Sequence, residues 1–517
     1  MSTHVQEWSS LVVDAQRGVL VPSWGSLFFN SVTMLIGTGG GGELGLRPTV
    51  LTKRNAENTN TSDESAPAPQ STTRQRGHRR TFEIKATPQA AYDWDFNSAR
   101  PPGKRTNIIE SIGHLIKSCL GGGLLAIHEA YKQCGLATSF FLTIILGFLV
   151  SYCMFMLAKS AQKIYGRVQI PAMSYPDLAE TALAIGPFQR LRKFSRCFRY
   201  AVDFTICVDL FGSCCVYQVM ICRTIKQLVE GTDEISNEGN PPLRVYILAI
   251  MIPCLLICMI TTLKYLAPFS IAADIFIVII TIATVYYASK SATMSPLDFP
   301  AFKNLGGFLE FLGVCVFSME GIGVTLAIEN NMQEPKKIGL VLAAGMSIVV
   351  TIVLVMGSFG YWGFGESARS PVTVNFPLSP FPIALKVFMA LMVYVTFALN
   401  FWVPFDLVWY YIKKRYDPSK YWLWERVYRA IFVIIITLTA FTFPNVSTFI
   451  GLLGSFCLSN MGFIYPAFIE LCLDWEYPGL GFMKWRLIKF ILIALFGLFL
   501  CCFGTYSNAK ELIRQSF

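Results

Sequence analysis

Phe317-Ser318-Met319-Glu320-Gly321-Ile322-Gly323 sits in the middle of an apolar stretch near 308–329. A stretch of ~20 residues crosses ~30 Å of hydrocarbon as a helix, yet this one carries an acid and two glycines at its centre. Glycine costs about 1 kcal/mol per residue in a helix interior. A charge at the bilayer centre costs at least ~2.5–3.5 kcal/mol on insertion scales. Unwound backbone is tolerated at that depth only where it lines protein or a water-filled cavity. Gly121-Gly122-Gly123 interrupts another apolar stretch, near 109–131, in the same way. Taken alone, the glycine triplet is equally well explained by close helix packing through small residues. Taken with the second interruption and its acid, a binding site is the better reading. Paired interruptions at matching positions of two halves are the sequence signature of a transporter site. Half-helix N-termini there turn positive dipole ends toward an anion such as a carboxylate, and freed carbonyls accept hydrogen bonds from an ammonium.

Working outward, apolar segments of this kind recur eleven times, near 109–131, 136–158, 200–223, 244–262, 266–288, 308–329, 338–362, 381–411, 427–443, 446–472 and 486–507. If the first five form one repeat and the next five another, both interruptions fall in the first segment of a repeat. The expected fold is an all-α membrane protein of eleven transmembrane helices, with helices 1 and 6 broken. The basic loops set its orientation. Lys159, Lys163, Arg167, Arg190, Arg192, Lys193, Arg196 and Arg199 follow the second segment, Lys336 and Lys337 the sixth, Lys413, Lys414, Arg415 and Lys420 the eighth, and Lys484 and Arg486 the tenth. The loop with Glu230, Asp233, Glu234 and Glu238 falls on the opposite side. The excess of Lys and Arg marks the cytosolic face, so the N-terminus is expected in the cytosol.

Composition agrees. Of 517 residues, 53% are hydrophobic and only 15% charged, against about 25% charged in a soluble domain. The net charge of +10 comes largely from loops between apolar segments, which argues for lipid and against nucleic acid as partner. The fifteen cysteines show no metal-ligand spacing and lie mostly within apolar runs, as small hydrophobes do. Neither a phosphate loop nor a nucleophile elbow is present, so an enzyme is not expected, and no cofactor beyond the coupling ion.

Residues 1–106 form a separate region. Ala56 to Arg80 is rich in Asn, Thr, Ser, Pro, Gln and Arg without periodicity, a disordered composition, and Arg74, Arg76, Arg79 and Arg80 cluster within it. Val19 to Gly37 is apolar but interrupted by Pro22 and Asn30, which argues against a span. The organisation is therefore a largely disordered cytosolic tail, 1–106, followed by a membrane domain, 107–517. The tail is long enough to dock a cytosolic signalling partner.

Two of the four histidines, His114 and His128, lie in the first segment. An unperturbed pKa near ~6.5 suits histidine to proton coupling; the alternative for each is a hydrogen bond to a neighbouring helix. Glu320 either contacts substrate or holds the unwound turn open. Asp203, Asp209, Asp274 and Asp406 either serve transport or pair within the bundle.

With these residues in view, Phe317 to Lys337, FSMEGIGVTLAIENNMQEPKK, resembles the FS-x-EG-I-G…L-x-x-EN-x-M-x-x-P-x-K signature of the proton-coupled amino acid transporters in the amino acid/auxin permease family. Gly360-Tyr361, Gly363-Phe364-Gly365 and Val374-Asn375-Phe376-Pro377 resemble the family's seventh-span exit. Phe397 to Pro404 resembles its eighth span, and Gly451 to Ser455 the start of its tenth. The resemblance implies an eleven-span, 5+5 inverted-repeat fold like that of the leucine transporter, and symport of protons with small neutral amino acids such as glycine, alanine and proline. It implies His114 as the coupling histidine, and residence in the plasma membrane or a lysosomal or endosomal membrane. The chain departs from the family in two substrate-region positions: Gly122 stands where a threonine is usual, and His128 where a proline is usual. The family's outside-loop disulfide has no evident counterpart. The expected substrate-binding residues are Gly121, Gly122, Gly123, Ser318, Met319, Glu320, Gly321 and Gly323. The competing reading is an amino-acid sensor that signals to growth control without efficient transport.

Overall fold

In a computed structural model the protein is described over residues 94–100, 103, 105–231, 241–260, 267–475 and 479–516. The tail features before residue 94 and the acidic loop positions Asp233, Glu234 and Glu238 lie outside the described residues, as does the side chain of Asp274.

The described residues are helical almost throughout. The helices are α1 (Ile108–Cys119), α2 (Gly122–Cys134), α3 (Leu136–Val168), α4 (Tyr175–Ile185), α5 (Ser195–Glu230), α6 (Leu243–Cys258), α7 (Ala267–Ser291), α8 (Leu305–Ser318), α9 (Ile322–Asn331), α10 (Ile338–Phe364), α11 (Pro380–Ile412), α12 (Tyr421–Thr442), α13 (Val446–Leu453), α14 (Tyr465–Asp474), α15 (Trp485–Phe499) and α16 (Thr505–Ser516). Among the described residues, seven helical segments are long and apolar enough to cross a membrane. The pair α1 and α2, bent by 55°, makes an eighth, and α6 and the Ile275–Ser291 part of α7 are shorter apolar helices. The protein is an integral membrane protein. Its large exposed side chains include Phe141, Ile145 and Phe148 on α3 and Leu492, Leu495 and Leu498 on α15. Such apolar outer faces are stable only against lipid.

Polar side chains and small residues organise the interior. α1, α2, α3, α8, α9 and α10 pack on one another, while α5, α6, α11 and α12 form a second group. Between the groups runs the segment Gly454–Ile464, which links α13 to α14 in π-helical geometry. The sequence shows an unbroken apolar run at 446–472, and the π turns are an addition to that expectation. A π stretch widens the helix and displaces side chains from α-helical register, and it occurs mostly at functional sites. A second, shorter π segment, Leu500–Gly504, joins α15 to α16.

Residues 94–106 also bear on the bundle. Phe96 packs its ring 5.6 Å from that of Tyr165. Thr106 donates its N–H to the Asn331 carbonyl (2.9 Å) and accepts from Gln333 N–H (3.0 Å). The part of the chain that leads into α1 is thus tied to the end of α9.

Candidate functional site

The two interruptions meet. α1 ends at Cys119, Leu120 and Gly121 are non-helical, and α2 begins at Gly122. The break therefore lies one residue before the centre of the glycine triplet, and Gly122 and Gly123 open the second half-helix instead of forming the unwound turn. The reason is steric. A Cβ on Gly123 would stand 2.8 Å from Ser318 Cα and 2.9 Å from Ser318 N, and one on Gly122 2.6 Å from the Tyr217 ring. The small residues allow α2 to cross the end of α8 backbone to backbone.

The other break is built reciprocally. α8 ends at Ser318, Met319 to Gly321 are non-helical, and α9 begins at Ile322. A Cβ on Gly321 would meet Met154 Cε at 2.7 Å and Cys119 Sγ at 2.8 Å, so the start of α9 packs against the end of α1. Packing through small residues and an interrupted helix, alternatives for the triplet in the sequence, are here the same feature.

Of the residues expected to bind substrate, Ser318 and Met319 are fully buried in this crossing. Gly121, Glu320 and Gly323 keep partial exposure, and nothing lies within 4 Å of a Cβ placed on Gly323. At Gly121, Glu320 and Gly323 the crossing is therefore not fully covered by neighbouring side chains. Both half-helices that start there have glycine as N-cap, Gly121 for α2 and Gly321 for α9. A glycine cap has no side chain to occupy the first N–H groups; at α2 the Tyr217 hydroxyl accepts from Gly122 N–H, and the half-helix dipole favours an anion beside it.

Residues without motif value complete the wall. The Tyr217 hydroxyl of α5 lies beside Gly121, 3.7 Å from where a Cβ on that glycine would stand, and accepts from Asn400 Nδ2 of α11 at 3.4 Å. Asp209 of α5 lies beside Glu320. Sequence reading singles out Asp209 as a buried acid but has no means of pairing it. Tyr217 and Asn400 carry no local signal at all.

His114 sits on α1, buried, seven residues before Gly121 and so about 10 Å down the helix axis from the break at ~1.5 Å per residue. Glu110 and Lys117 are its charged neighbours on the same helix. His128 is fully buried; its Nε2 lies 3.0 Å from the Arg369 carbonyl and 3.1 Å from Asn375 Nδ2. The neighbour-bonded alternative holds for His128. Asp203 accepts from the Tyr411 hydroxyl (3.1 Å), with Arg199 Nε at 3.9 Å. Asp406, half-buried, has Lys413 and Arg429 as its nearest opposite charges.

Above and below the breaks, buried ions close the bundle. At the end where α1 enters, Arg100 donates to Glu329 Oε2 (3.0 Å), to the Glu329 carbonyl (3.0 Å) and to the Pro171 carbonyl (2.9 Å). Gln162 Nε2 of α3 donates to the other Glu329 oxygen at 3.2 Å. At the far end, Arg223 of α5 donates to the Ser370 carbonyl (2.7 Å) and the Pro444 carbonyl (3.0 Å). Glu129 of α2 accepts from Ser370 N–H (2.8 Å), and Lys132 donates to the Ala368 carbonyl (2.6 Å). All fifteen cysteines are free thiols.

A family model described as "Transmembrane amino acid transporter protein" matches residues 104–508. The chain is 32% identical over 429 residues, 82% of its own length and 89% of the relative's, to the Drosophila melanogaster protein named proton-coupled amino acid transporter-like protein pathetic. It is 26% identical over 447 residues, 84% of its length and 97% of the relative's, to the Arabidopsis thaliana amino acid transporter AVT3C. A solved structure of Mhp1, titled a nucleobase-cation-symport-1 family transporter in a closed conformation with bromovinylhydantoin bound, is similar at 13% identity and a TM-score of 0.46, covering 80% of this chain and 92% of that one.

Proposed function

Because this chain belongs to the transmembrane amino acid transporter family, we propose that it carries small neutral amino acids across a membrane in symport with protons. The observation that carries the reading is the crossing of two broken helices, whose half-helix N-termini are capped by glycine beside the partly exposed Gly121, Glu320 and Gly323. The substrate carboxylate lies at the start of α2, toward Gly123 N–H and the Tyr217 hydroxyl that accepts from Gly122 N–H, where the half-helix dipole favours an anion. Its ammonium lies toward the carbonyls of the unwound Met319–Gly321 turn and toward Glu320. The Tyr217 hydroxyl supplies the polar group that Gly122, in place of threonine, does not. Gly323 leaves open space on this side for the substrate side chain.

On this reading the chain crosses the membrane eleven times as two inverted repeats of five helices plus one. The Arg100 end faces the cytosol, where the basic loops collect. α1, α2, α3, α8, α9 and α10 move as the bundle that rocks against the remainder, and the ion clusters at the two ends alternate between closed and open. His114, buried on the cytosolic half-helix of the first crossing, takes and releases the coupling proton. The membrane is the plasma membrane or an endolysosomal one. A sensor role has no observation of its own behind it.

Uptake of labelled glycine, alanine and proline into proteoliposomes tests the proposal. Accumulation under an inward proton gradient is expected, with loss when the gradient is collapsed or His114 is replaced by alanine. Uptake that ignores the gradient, or that follows sodium, refutes proton symport; a protein that binds an amino acid and moves none refutes transport.

A further inference from the structure

Asp209 is completely buried on α5, and neither of its carboxyl oxygens has a hydrogen bond within 3.5 Å among the described residues. A buried polar atom left without a partner costs free energy, and a buried ionised carboxylate without a counter-charge costs far more. The group that faces it is another acid, Glu320 in the unwound turn between α8 and α9. No lysine, arginine or histidine among the described residues acts on either carboxyl. The remaining titratable groups around the pair are all neutral at ordinary pH: Cys457 of the π segment and Tyr217 of α5 face both acids, and Cys119 at the end of α1 faces Glu320. Two carboxylates side by side in such surroundings cannot both be ionised. A bound cation is required, and the smallest one meets every condition. One proton between the two carboxyls satisfies an Asp209 oxygen, removes one charge and needs no further ligand.

We propose that Asp209 and Glu320 form a carboxyl–carboxylate pair that binds one proton per transport cycle, at the substrate site. Asp209 is completely buried, whereas Glu320 keeps partial exposure. The proton therefore enters and leaves through Glu320 and is lost to water when the α8–α9 turn moves from α5, leaving two carboxylates in separate, wetter surroundings. Because Glu320 belongs to the same turn that receives the substrate ammonium, proton and substrate bind at one place. The inference rests on the proton-symport reading and supplies it with a proton site at the break itself, apart from His114.

The test uses the full chain and the Asp209→Asn variant, which keeps the shape and removes the titrating oxygen. In proteoliposomes, one-proton symport of a neutral substrate at a pH gradient of one unit accumulates it about tenfold. Asp209→Asn is expected to lose that accumulation while counterflow of labelled against unlabelled substrate survives at some rate. The split between the two readouts marks a coupling residue, because a merely structural defect lowers both. Accumulation by Asp209→Asn equal to wild type overturns the proposal. Infrared difference spectra of the purified protein, recorded as pH is stepped without substrate, read the pair independently of transport. The wild type shows a buried protonated-carboxyl C=O band, which Asp209→Asn and Glu320→Gln each remove or displace. A band unchanged in both variants overturns the pair even if transport is proton-driven. A wild type that fails to accumulate substrate, yet shows the band and its loss in both variants, refutes the symport reading and leaves the proton site standing.

Discussion

Replacing Arg100 by alanine tests whether the ion cluster at the entry of α1 holds that end of the transporter shut. The Arg100 and Glu329 side chains are 3% and 0% exposed, so the substitution leaves a fully buried carboxylate without its counter-charge. Breaking a buried pair by removing one partner costs about 3–5 kcal/mol. Gln162 still donates to Glu329, which favours the lower bound. About 3 kcal/mol against the closed arrangement, at about 1.4 kcal/mol per tenfold, multiplies the open population on the order of 100-fold. Cys119 reports the opening, since it is buried between the end of α1, Gly321 and Met346. Its alkylation by a membrane-permeant maleimide, followed on its own peptide by mass spectrometry, is expected to accelerate by that factor. The double variant Arg100→Ala/Glu329→Gln removes the stranded charge as well and recovers most of the protection. A folded Arg100→Ala protein whose Cys119 reacts at the wild-type rate refutes the latch.

Three further substitutions probe the crossing. Gly123→Ala drives a Cβ into Ser318 backbone atoms at 2.8 Å, so α2 and α8 must separate; a loss of about 1–3 kcal/mol, typical of overpacking, is expected as a lower melting temperature in detergent. Gly323→Ala meets nothing within 4 Å, so melting stays within the about ±0.5 kcal/mol of neutral changes while KM for the largest accepted amino acid rises; an unchanged KM across substrates means the open space is not the substrate's. Tyr217→Phe removes the hydroxyl that accepts from Asn400, a contact worth about 0.5–1.5 kcal/mol, and KM is expected to rise by at most about tenfold. A larger KM change in Tyr217→Phe, or a fall in kcat alone, shows that the hydroxyl acts on something other than ground-state binding.

What can be read from sequence follows from the range of each physical cause. Helix positions are legible because lipid imposes length and apolarity on a segment independently of its neighbours. The breaks are legible because glycine weakens a helix locally. The placement of Gly122 and Gly123 inside the half-helix is not, since it depends on what the glycines touch, and Tyr217 and Ser318 are far away in the chain. The same holds for His128. Its position marks it as a candidate coupling group, but the carbonyl and amide that hold its ring belong to Arg369 and Asn375 on another segment. The π stretch at Gly454–Ile464 has the composition of ordinary membrane helix and leaves no periodicity to detect.

The pairing of acids carries the same lesson into mechanism. Seen singly, Asp203 and Asp209 are alike: acids six positions apart within one apolar helix. The fold separates them. Asp203 receives a tyrosine hydroxyl and stands near Arg199, so it has a donor and a counter-charge within the bundle. Among the described residues Asp209 faces an acid on the turn between α8 and α9, which on the proposed rocking motion belongs to the group of helices that moves against α5. A charge whose compensation lies across the moving boundary cannot keep one protonation state through the cycle. Any motion that parts α5 from the Met319–Gly321 turn changes the proton affinity of the pair, and by linkage any change in its protonation biases that motion. On the proposed symport, coupling then needs no relay across the protein: it needs only that the moving boundary run between Asp209 and Glu320.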